Sequence, residues 1–279
     1  MNKYSVFGST GFIGSEYVTS YSDSSISIKR EDRKTKSENI IYFISTTNNY
    51  HVFDDPYLDI NTNLKLLIET LEECKNYQEN NQKKVTFNFI SSWFVYGDTK
   101  LPANEKSNCQ PKGFYSITKK CAEDLLISYC QTFDINYRII RLCNVYGKSD
   151  KGYSKKKNAL QYMIDRIKSN QEIELYYNGD FYRDYMHVSD VCRAINLIAK
   201  SGDLNTIYNV GSGKKIKMKY IIDLCVNYCN SQSIIKPIDS PPFHKIVQVK
   251  DMVLDVSKIE KLGFKQKIYI EEGIELLCR

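Results

Sequence analysis

The stretch Tyr4-Ser-Val-Phe7-Gly8-Ser-Thr-Gly11-Phe-Ile-Gly14 is typical of a short apolar strand, a glycine-rich turn and the beginning of a helix. Glycine allows the backbone to turn tightly and to approach a diphosphate, whose negative charge then lies at the helix N-terminus. Three glycines alone are a weak signal, but here they stand between a strand and a helix, as a dinucleotide-binding loop requires. The alternative is an ordinary tight turn. We expect the loop to bind a dinucleotide through Gly8, Thr10, Gly11, Phe12, Ile13 and Gly14.

Beyond this stretch the sequence alternates between predicted strands and predicted helices. Apolar runs predict strands at 4–7, 26–29, 40–44, 85–90 and 135–142. Amphipathic spacing predicts helices at 12–22, 60–74 and 115–131. The alternation favours an α/β fold with a doubly wound parallel sheet that is covered by helices on both faces. Because the elements shorten after residue 145, we expect a large domain and a smaller lobe, over 1–147 (plus parts of 185–212) and over 148–184 and 213–279.

The interval between the second and the next predicted strand is unusually short. Only about ten residues separate Ile28 from the strand that begins at Ile40. A doubly wound unit normally places a helix, a strand and another crossover there, and one parallel crossover alone takes about a dozen residues or more. We infer that the third strand and its flanking helices are largely deleted, which shortens the sheet between its second and fourth strands.

The pair Tyr115 and Lys119 combines a phenol and an ammonium group at a helical spacing of four residues. On a helix the two side chains share a face, where the lysine charge can stabilise a phenolate and lower the pKa of the tyrosine. The same spacing also begins at Tyr96, in a turn, and at Tyr153, in a lysine-rich loop. Only Tyr115 begins a long run with helical apolar spacing. This pair is therefore the candidate for proton transfer beside a nicotinamide.

Two further groups of residues give this pair a chemical setting. Ser91-Ser92-Trp93-Phe94 follows the strand 85–90, at the sheet edge where doubly wound folds bind ligands. The Ser92 hydroxyl could there hydrogen-bond the substrate oxygen that exchanges a proton with Tyr115. Arg183 follows a loop in the second lobe, and its guanidinium can bind diphosphate oxygens in bidentate fashion. For Arg183 the alternative is a surface ion pair with Asp184.

Composition and charge exclude several other classes of function. The 279 residues include 42% hydrophobic and 26% charged residues, as in ordinary globular proteins. A scattered net charge of +6 does not predict nucleic-acid binding. Nine cysteines and three dispersed histidines lack metal-ligand spacing, so we expect reduced core thiols and no metal site. No apolar run reaches membrane length and no signal peptide is recognised, so we expect a cytoplasmic protein without membrane association.

The order of motifs along the chain closely resembles the extended short-chain dehydrogenase/reductase family, which includes nucleotide-sugar epimerases and dehydratases. The matching motifs cover nearly the whole chain; they are the Gly8/Gly11/Gly14 loop, Ser91-Ser92 with Val95-Tyr96-Gly97, Tyr115/Lys119, Arg141-Leu-Cys-Asn144-Val-Tyr-Gly147, Arg183-Asp-Tyr-Met-His-Val188, Tyr208-Asn-Val-Gly211 and Asp255 with Leu262-Gly-Phe264. The resemblance implies a Rossmann-like nucleotide-binding domain, a C-terminal sugar-nucleotide lobe, a bound NADP or NAD, and a nucleotide-diphosphate sugar as substrate.

The resemblance also implies roles for individual residues. Tyr115 would be the catalytic acid/base, Lys119 would hold the nicotinamide ribose, and Ser92 would orient the sugar hydroxyl. The remaining expected site residues are Asn61 near the cofactor, Asn144 and Arg183 at the sugar diphosphate, Lys250 near the nucleotide, and Trp93 and Phe94 at the hexose. Members of the family usually dimerise through two long helices, which here are 60–74 and 115–131.

Departures from the family pattern narrow the reaction. Dehydratases of the family carry an Asp-Glu pair where this chain has Trp93 and Phe94, which cannot transfer protons. We therefore expect epimerisation or reduction at C4 and not dehydration. Lys29 and Arg30 at the end of the second strand favour the 2′-phosphate of NADP, although the acidic Glu31 that follows leaves NAD open.

The inferred deletion shortens the part of the sheet that would cover the adenine of the cofactor, and a thin cover suits a cofactor that is exchanged at every turnover. We therefore favour an NADPH-dependent 4-ketosugar reductase over a 4-epimerase with retained NAD. A third alternative is a regulatory protein that binds NAD(P) or a sugar nucleotide without catalysis.

Overall fold

The structure, a computed structural model, describes residues 3–148 and 159–279. Its strands are β1 (Tyr4–Phe7), β2 (Ser25–Ser27), β3 (Asn39–Tyr42), β4 (Thr86–Ser92), β5 (Asn136–Leu142), β6 (Asn144–Tyr146), β7 (Ile173–Tyr176), β8 (Tyr182–Arg183), β9 (Tyr185–His187), β10 (Thr206–Val210), β11 (Ile216–Lys217) and β12 (Ile235–Ile238). Its helices are α1 (Phe12–Ser20), α2 (Leu58–Ile60), α3 (Leu66–Asn81), α4 (Phe114–Thr132), α5 (Ala159–Lys168), α6 (Val188–Ser201), α7 (Met218–Tyr228), α8 (Pro242–Val247), α9 (Ser257–Lys261) and α10 (Ile270–Cys278).

The central sheet has six strands in the order β10-β5-β4-β3-β1-β2, and every neighbouring pair is parallel. Successive side chains of a strand point to opposite faces. Phe89 therefore packs against α3 and α4, whereas Ile90 packs in the cluster that contains α1 and α6 residues. Both faces are apolar because helices cover both. The predicted Rossmann-like α/β fold is confirmed.

The sheet is shortened at the predicted place. β2 is the edge strand beside β1, and the chain passes from β2 across β1 to β3 through residues 28–38 without a helix. The crossing is held at Ser37, whose hydroxyl accepts a hydrogen bond from the Ser5 amide at 2.9 Å and contacts the Ser5 hydroxyl at 3.0 Å. Small polar side chains let this connection lie directly on β1, where a longer crossover would place a helix.

Several element boundaries differ from the sequence prediction. The helix predicted at 60–74 begins at Leu58 and ends at Asn81, and it contains a π-helical turn over Asn61–Lys65. The second strand, predicted at 26–29, covers only Ser25–Ser27. The lysine-rich loop around Tyr153 lies outside the described residues.

A separate apolar core lies in the C-terminal part of the chain. It joins α5, α7 and α10 through side chains such as Ile164, Ile222 and Ile274, each fully buried. Residues 249–264, in contrast, contribute Leu254 and Ile259 to the core on the α1 and α6 face of the sheet. A C-terminal segment of the chain therefore packs back onto the α1 and α6 face of the central sheet. In the part of the chain that the structure describes, no helix has the length and apolar content needed to cross a bilayer.

Candidate active site

The candidate site lies at the carboxyl edge of the central sheet. Gly8 follows β1, Ser45 lies beyond the end of β3, Ser92 ends β4 and Asn144 lies just beyond β5. Because all these strands are parallel, their carboxyl ends meet at one edge, which is the ligand-binding edge of doubly wound sheets. The first turn of α4 faces the same edge and carries Tyr115.

The glycine loop has the geometry of a diphosphate cradle. Gly8 adopts a positive φ of 74°, and its carbonyl accepts a hydrogen bond from the Gly11 amide at 3.1 Å. A Cβ atom on Gly14 would lie 2.2 Å from the Gly8 oxygen, so only glycine allows this close packing. The N-cap residue Gly11 has no side chain to cap α1, so among the described residues the first-turn amides of Phe12 and Ile13 remain available to an anion. Thr10 and Gly11 are exposed at the mouth of the loop, and these residues fit a dinucleotide diphosphate.

The end of β2 presents two cations at the edge of the sheet. β2 ends at Ser27, the Ile28 amide donates to the Val6 carbonyl at 3.0 Å, and Lys29 and Arg30 follow as exposed residues. Neither cation has a carboxylate within ion-pair distance among the described residues. Their charges are therefore free to meet a phosphate group beside the sheet edge.

Lys119 is buried beneath the sheet edge. Its ammonium group donates to the Ile90 carbonyl at 2.8 Å and lies 4.1 Å from the centre of the Phe89 ring. Burial lowers the pKa of Lys119 to about 7, against the opposing effect of the Glu123 charge. The ammonium is thus close to its point of deprotonation at neutral pH, one helical turn from Tyr115.

Tyr115 is also buried, with 7% of its surface exposed. Burial raises the pKa of Tyr115 above its ordinary value, Asp59 raises it further, and hydrogen bonding from Ser92 and Ser45 opposes both. The expected lowering of this pKa by Lys119 is therefore not found in the protein alone. The physical reason is that Lys119 directs its charge to the Ile90 carbonyl, while the phenol loses the solvation that a phenolate needs.

Ser92 and the two aromatic residues after it form one wall of the site. The Ser92 hydroxyl accepts from the Phe94 amide at 3.3 Å, which fixes the 3₁₀ turn Trp93–Val95. The rings of Trp93 and Phe94 stack with centres 4.0 Å apart, and the rings of Phe94 and Tyr115 lie edge to face with centres 5.7 Å apart. The structure thus brings Ser92, Phe94 and Tyr115 together at the carboxyl edge of the sheet.

The structure does not place Arg183 with a free guanidinium group, as the prediction of a diphosphate-binding residue would require. Arg183 is 9% exposed and lies 5.5 Å from the centre of the Trp93 ring, with Asp184 on a separate network. Its guanidinium donates to the carbonyls of Tyr182, Val249 and Lys250, so much of its hydrogen-bonding capacity is used within the protein.

Asn144 and Lys250, which were also predicted to contact the substrate, each make a hydrogen bond within the protein. The side-chain amide of Asn144 donates to the Asp184 carbonyl at 3.1 Å. Lys250 contributes its backbone carbonyl to Arg183, and its side chain is exposed.

The predicted cofactor residue Asn61 is exposed, whereas Asn63, two positions later, is buried beside the site. Asn63 accepts from Ser45 and from the Thr46 amide, and it donates to the hydroxyl groups of Thr46 and Thr118 at 2.8 and 2.9 Å. The π-helical turn shifts the phase of the helix here. No signal in the sequence distinguishes the two asparagines, because α-helical periodicity does not hold across that turn.

A buried ion pair between Glu123 and Arg141, which was not predicted from the sequence, lies next to Lys119 along α4. Glu123 lies one turn after Lys119 and accepts from Arg141 at 3.0 and 2.6 Å and from the Ser91 hydroxyl at 2.6 Å. Both charged side chains are nearly inaccessible, at 3% and 1% exposure. The recurrence of Tyr115, Lys119 and Glu123 every fourth residue was the available signal, since one helix face then carries all three.

Comparison with known proteins gives one family and a common fold. The profile of the NAD dependent epimerase/dehydratase family matches residues 36–211. This match confirms the resemblance to extended short-chain dehydrogenases/reductases, and the description of the family as NAD dependent agrees with the expected NADP or NAD.

Individual relatives differ in the reaction that their names give. A putative UDP-glucose 4-epimerase of Methanocaldococcus jannaschii is 28% identical over 85% of this chain and 75% of its own length. The dTDP-4-dehydro-6-deoxyglucose reductase of Escherichia coli is 24% identical over 74% of this chain and 63% of its own length. Dehydratases also occur among the relatives. The crystal structure of Thermotoga maritima UDP-glucose 4-epimerase with UDP-glucose superposes with a TM-score of 0.86 at 23% identity, covering 100% of this chain and 97% of that one.

Proposed function

Because the chain belongs to the NAD dependent epimerase/dehydratase family, we propose that it is an NADPH-dependent 4-ketosugar reductase acting on a nucleotide-diphosphate sugar. The observation that carries the choice of a reductase is the helix-free connection over 28–38. It leaves β2 as the edge strand, so the adenosine side of the cofactor has little protein over it. A reductase must exchange its cofactor after every turnover, which an open adenosine side favours. Lys29 and Arg30 at this edge suit the 2′-phosphate of NADPH.

The reacting side chains are suited to reduction. NADPH, when bound, supplies the hydride. Burial keeps the Tyr115 phenol protonated at neutral pH, and this is the form that donates a proton to a ketone oxygen. Ser92, whose hydroxyl accepts from the Phe94 amide, would bind the same oxygen. Lys119 would contact the nicotinamide ribose after its ammonium group turns from the Ile90 carbonyl toward the site. Asn144 from the large domain and Arg183 and Lys250 from the second lobe would border the sugar diphosphate.

The residues beside Ser92 argue against dehydration. Elimination of water requires an acid and a base next to the sugar carbons, and Trp93 and Phe94 offer neither. Their stacked rings instead form an apolar wall, and the Phe94 ring packs edge to face with Tyr115. We propose that this wall holds the hexose.

A nucleotide-sugar 4-epimerase with retained NAD is the second candidate. Its support is the similarity to the putative UDP-glucose 4-epimerase of Methanocaldococcus jannaschii, which extends over 85% of this chain. An epimerase returns the hydride to the same sugar and therefore gains from never releasing its cofactor.

Turnover of 4-ketosugars tests the choice between these functions. We expect the purified protein to contain no stoichiometric NAD and to oxidise NADPH in the presence of a UDP-, dTDP-, CDP- or GDP-4-ketosugar, with one product formed per NADPH. The measurement is the loss of nicotinamide absorbance together with chromatography of the sugar nucleotide. Interconversion of C4 epimers by protein that retains NAD, with no net use of NADPH, would instead establish the epimerase.

The variant Lys29→Ala/Arg30→Ala serves as the control for cofactor choice. It should bind NADPH about tenfold or more weakly and NADH nearly unchanged, since charge-assisted hydrogen bonds to a phosphate are each worth about 1.5–3 kcal/mol. Equal losses for both cofactors would show that these cations do not recognise the 2′-phosphate.

A homodimer through the helices predicted at 60–74 and 115–131 remains a proposal, and an exposed apolar stripe supports it. Phe114, Ile117 and Leu125 are 41%, 51% and 38% exposed on one face of α4. We expect sedimentation velocity to give twice the mass of the chain, and Ile117→Asp to give the monomer because it buries a charge in the contact. A wild-type monomer at micromolar concentration would contradict the proposal.

A further inference from the structure

The N-terminus of the helix that carries Tyr115 is capped by a residue from a distant segment. Gly113 precedes α4 and has no side chain to cap it. Instead, the Ser116 amide donates to the Asn49 side-chain oxygen at 3.4 Å, and the Asn49 side-chain nitrogen donates to the Ser116 hydroxyl at 3.4 Å. Asn49 is only 2% exposed. It therefore accepts from one first-turn amide of α4, that of Ser116, as a local N-cap residue would.

The space around this cap is closed on two sides. Gly113 has a φ of +80°, and a Cβ atom on it would lie 2.5 Å from the Asn49 side-chain oxygen and 2.9 Å from a methyl group of Val247. Asn49, Gly113 and the end of α8 thus meet two residues before Tyr115. A displacement of any one of these three segments would therefore change the packing around the first turn of α4.

The turn that begins with Asn49 also holds the second lobe. The 3₁₀ turn Asn49–Phe53 places the rings of Tyr50 and Phe53 at 5.1 and 4.6 Å from the ring of Phe243 in α8, both edge to face. The Tyr50 hydroxyl lies 3.3 Å from His244 Nδ1. These contacts join the large domain to α8 at the same carboxyl edge of the sheet as the site.

We propose that the turn Asn49–Phe53 couples the docking of α8 to the orientation of Tyr115, with Asn49 as the positioning residue. Docking of Phe243 onto the turn holds Asn49 against Ser116, and this fixes the first helical turn in which Tyr115 stands. Withdrawal of α8 releases the cap and frays that turn. The inference deepens the proposed function, because it makes proton transfer at Tyr115 depend on contact between the two lobes.

Amide hydrogen exchange tests the coupling without any assay of activity. Asn49→Ala should make the Ser116 amide exchange about fivefold faster, the effect of losing one helix cap. Phe243→Ala, which leaves Asn49 in place, should raise the same rate in the same direction. Two matched controls should not: Asn88→Ala removes a buried asparagine that donates to the Ile40 carbonyl, and Tyr269→Ala removes a half-exposed ring of the second lobe.

Steady-state kinetics test whether the coupling affects the rate of the reaction. Asn49→Ala should lower kcat about tenfold with the KM for the nicotinamide nearly unchanged, and Asn49→Asp, which keeps the acceptor oxygen, should restore most of it. The losses in Asn49→Ala and Phe243→Ala should not add in the double variant, since both act through one turn.

The outcomes separate the two proposals. An unchanged Ser116 rate in Phe243→Ala, or additive losses in kcat, would overturn the coupling. Faster exchange in both variants, with no turnover of any 4-ketosugar by the wild type, would support the coupling and overturn the proposed function.

Discussion

Replacing Tyr115 with phenylalanine should lower turnover about 10²–10⁴-fold, the usual contribution of one positioned general acid. The phenol is the protonated group beside the predicted position of the C4 oxygen, and burial keeps its pKa above the ordinary value. Phenylalanine preserves the ring that meets Phe94 at 5.7 Å, so the wall of the site is retained. The measurement is kcat with saturating ketosugar and NADPH, together with the dissociation constant of NADPH, which we expect to be little changed.

Tyr96→Phe is the matched control for this prediction. Tyr96 has the same spacing to a lysine, at position 100, and it is fully buried, but its hydroxyl donates to Asn209 at 2.7 Å, away from the site. Its loss should cost about 1 kcal/mol of stability and leave kcat nearly unchanged. Similar kcat values for Tyr115→Phe and Tyr96→Phe would remove Tyr115 from the reaction.

Replacing Glu123 with glutamine should destabilise the protein by about 3–5 kcal/mol, because it leaves the buried Arg141 charge uncompensated. Arg141 donates two hydrogen bonds to the Glu123 carboxylate, and its guanidinium stacks 4.7 Å from the centre of the Tyr96 ring. A glutamine side chain has one acceptor oxygen instead of two and carries no negative charge, so it can replace only one of these bonds and does not neutralise Arg141. The measurement is the free energy of unfolding in urea, with Asp124→Asn as control. Asp124 is an exposed partner of Lys120 on the same helix, and its loss should cost about 0.5 kcal/mol or less.

The destabilisation by Glu123→Gln should be larger at pH 6 than at pH 8. The Glu123 charge raises the pKa of Lys119, which burial lowers to about 7, so its removal lowers this pKa further. A lysine whose pKa is lowered by folding opposes folding most strongly below its folded pKa, and the opposition weakens as the pH rises toward the unfolded value. Above about pH 7 the folded lysine is neutral in both proteins, and its contribution to their difference disappears. An equal loss at both pH values would mean that Glu123 does not act on Lys119.

Several predictions made from the sequence depend on residues that are close together in the chain, and these agree with the structure. The glycine loop stands between β1 and α1, and Lys119 follows Tyr115 by one turn of α4. The short interval before β3 produced the helix-free crossing at the predicted place. Strand–turn–helix geometry and four-residue helical spacing are fixed by the local backbone, so a sequence pattern is enough to predict them.

The sequence by itself therefore determined the family, the parallel sheet, its missing strand and the candidate pair Tyr115 and Lys119. The tertiary structure alone decided the partners of those groups, such as Ile90 for Lys119, Arg141 for Glu123 and Asn49 for the first turn of α4. Asn49 and Ser116, for example, are 67 positions apart. Contacts over such distances depend on how strands and helices pack, and no local pattern records that packing. The same packing raised the pKa of Tyr115, because burial is a property of the folded molecule and not of the motif.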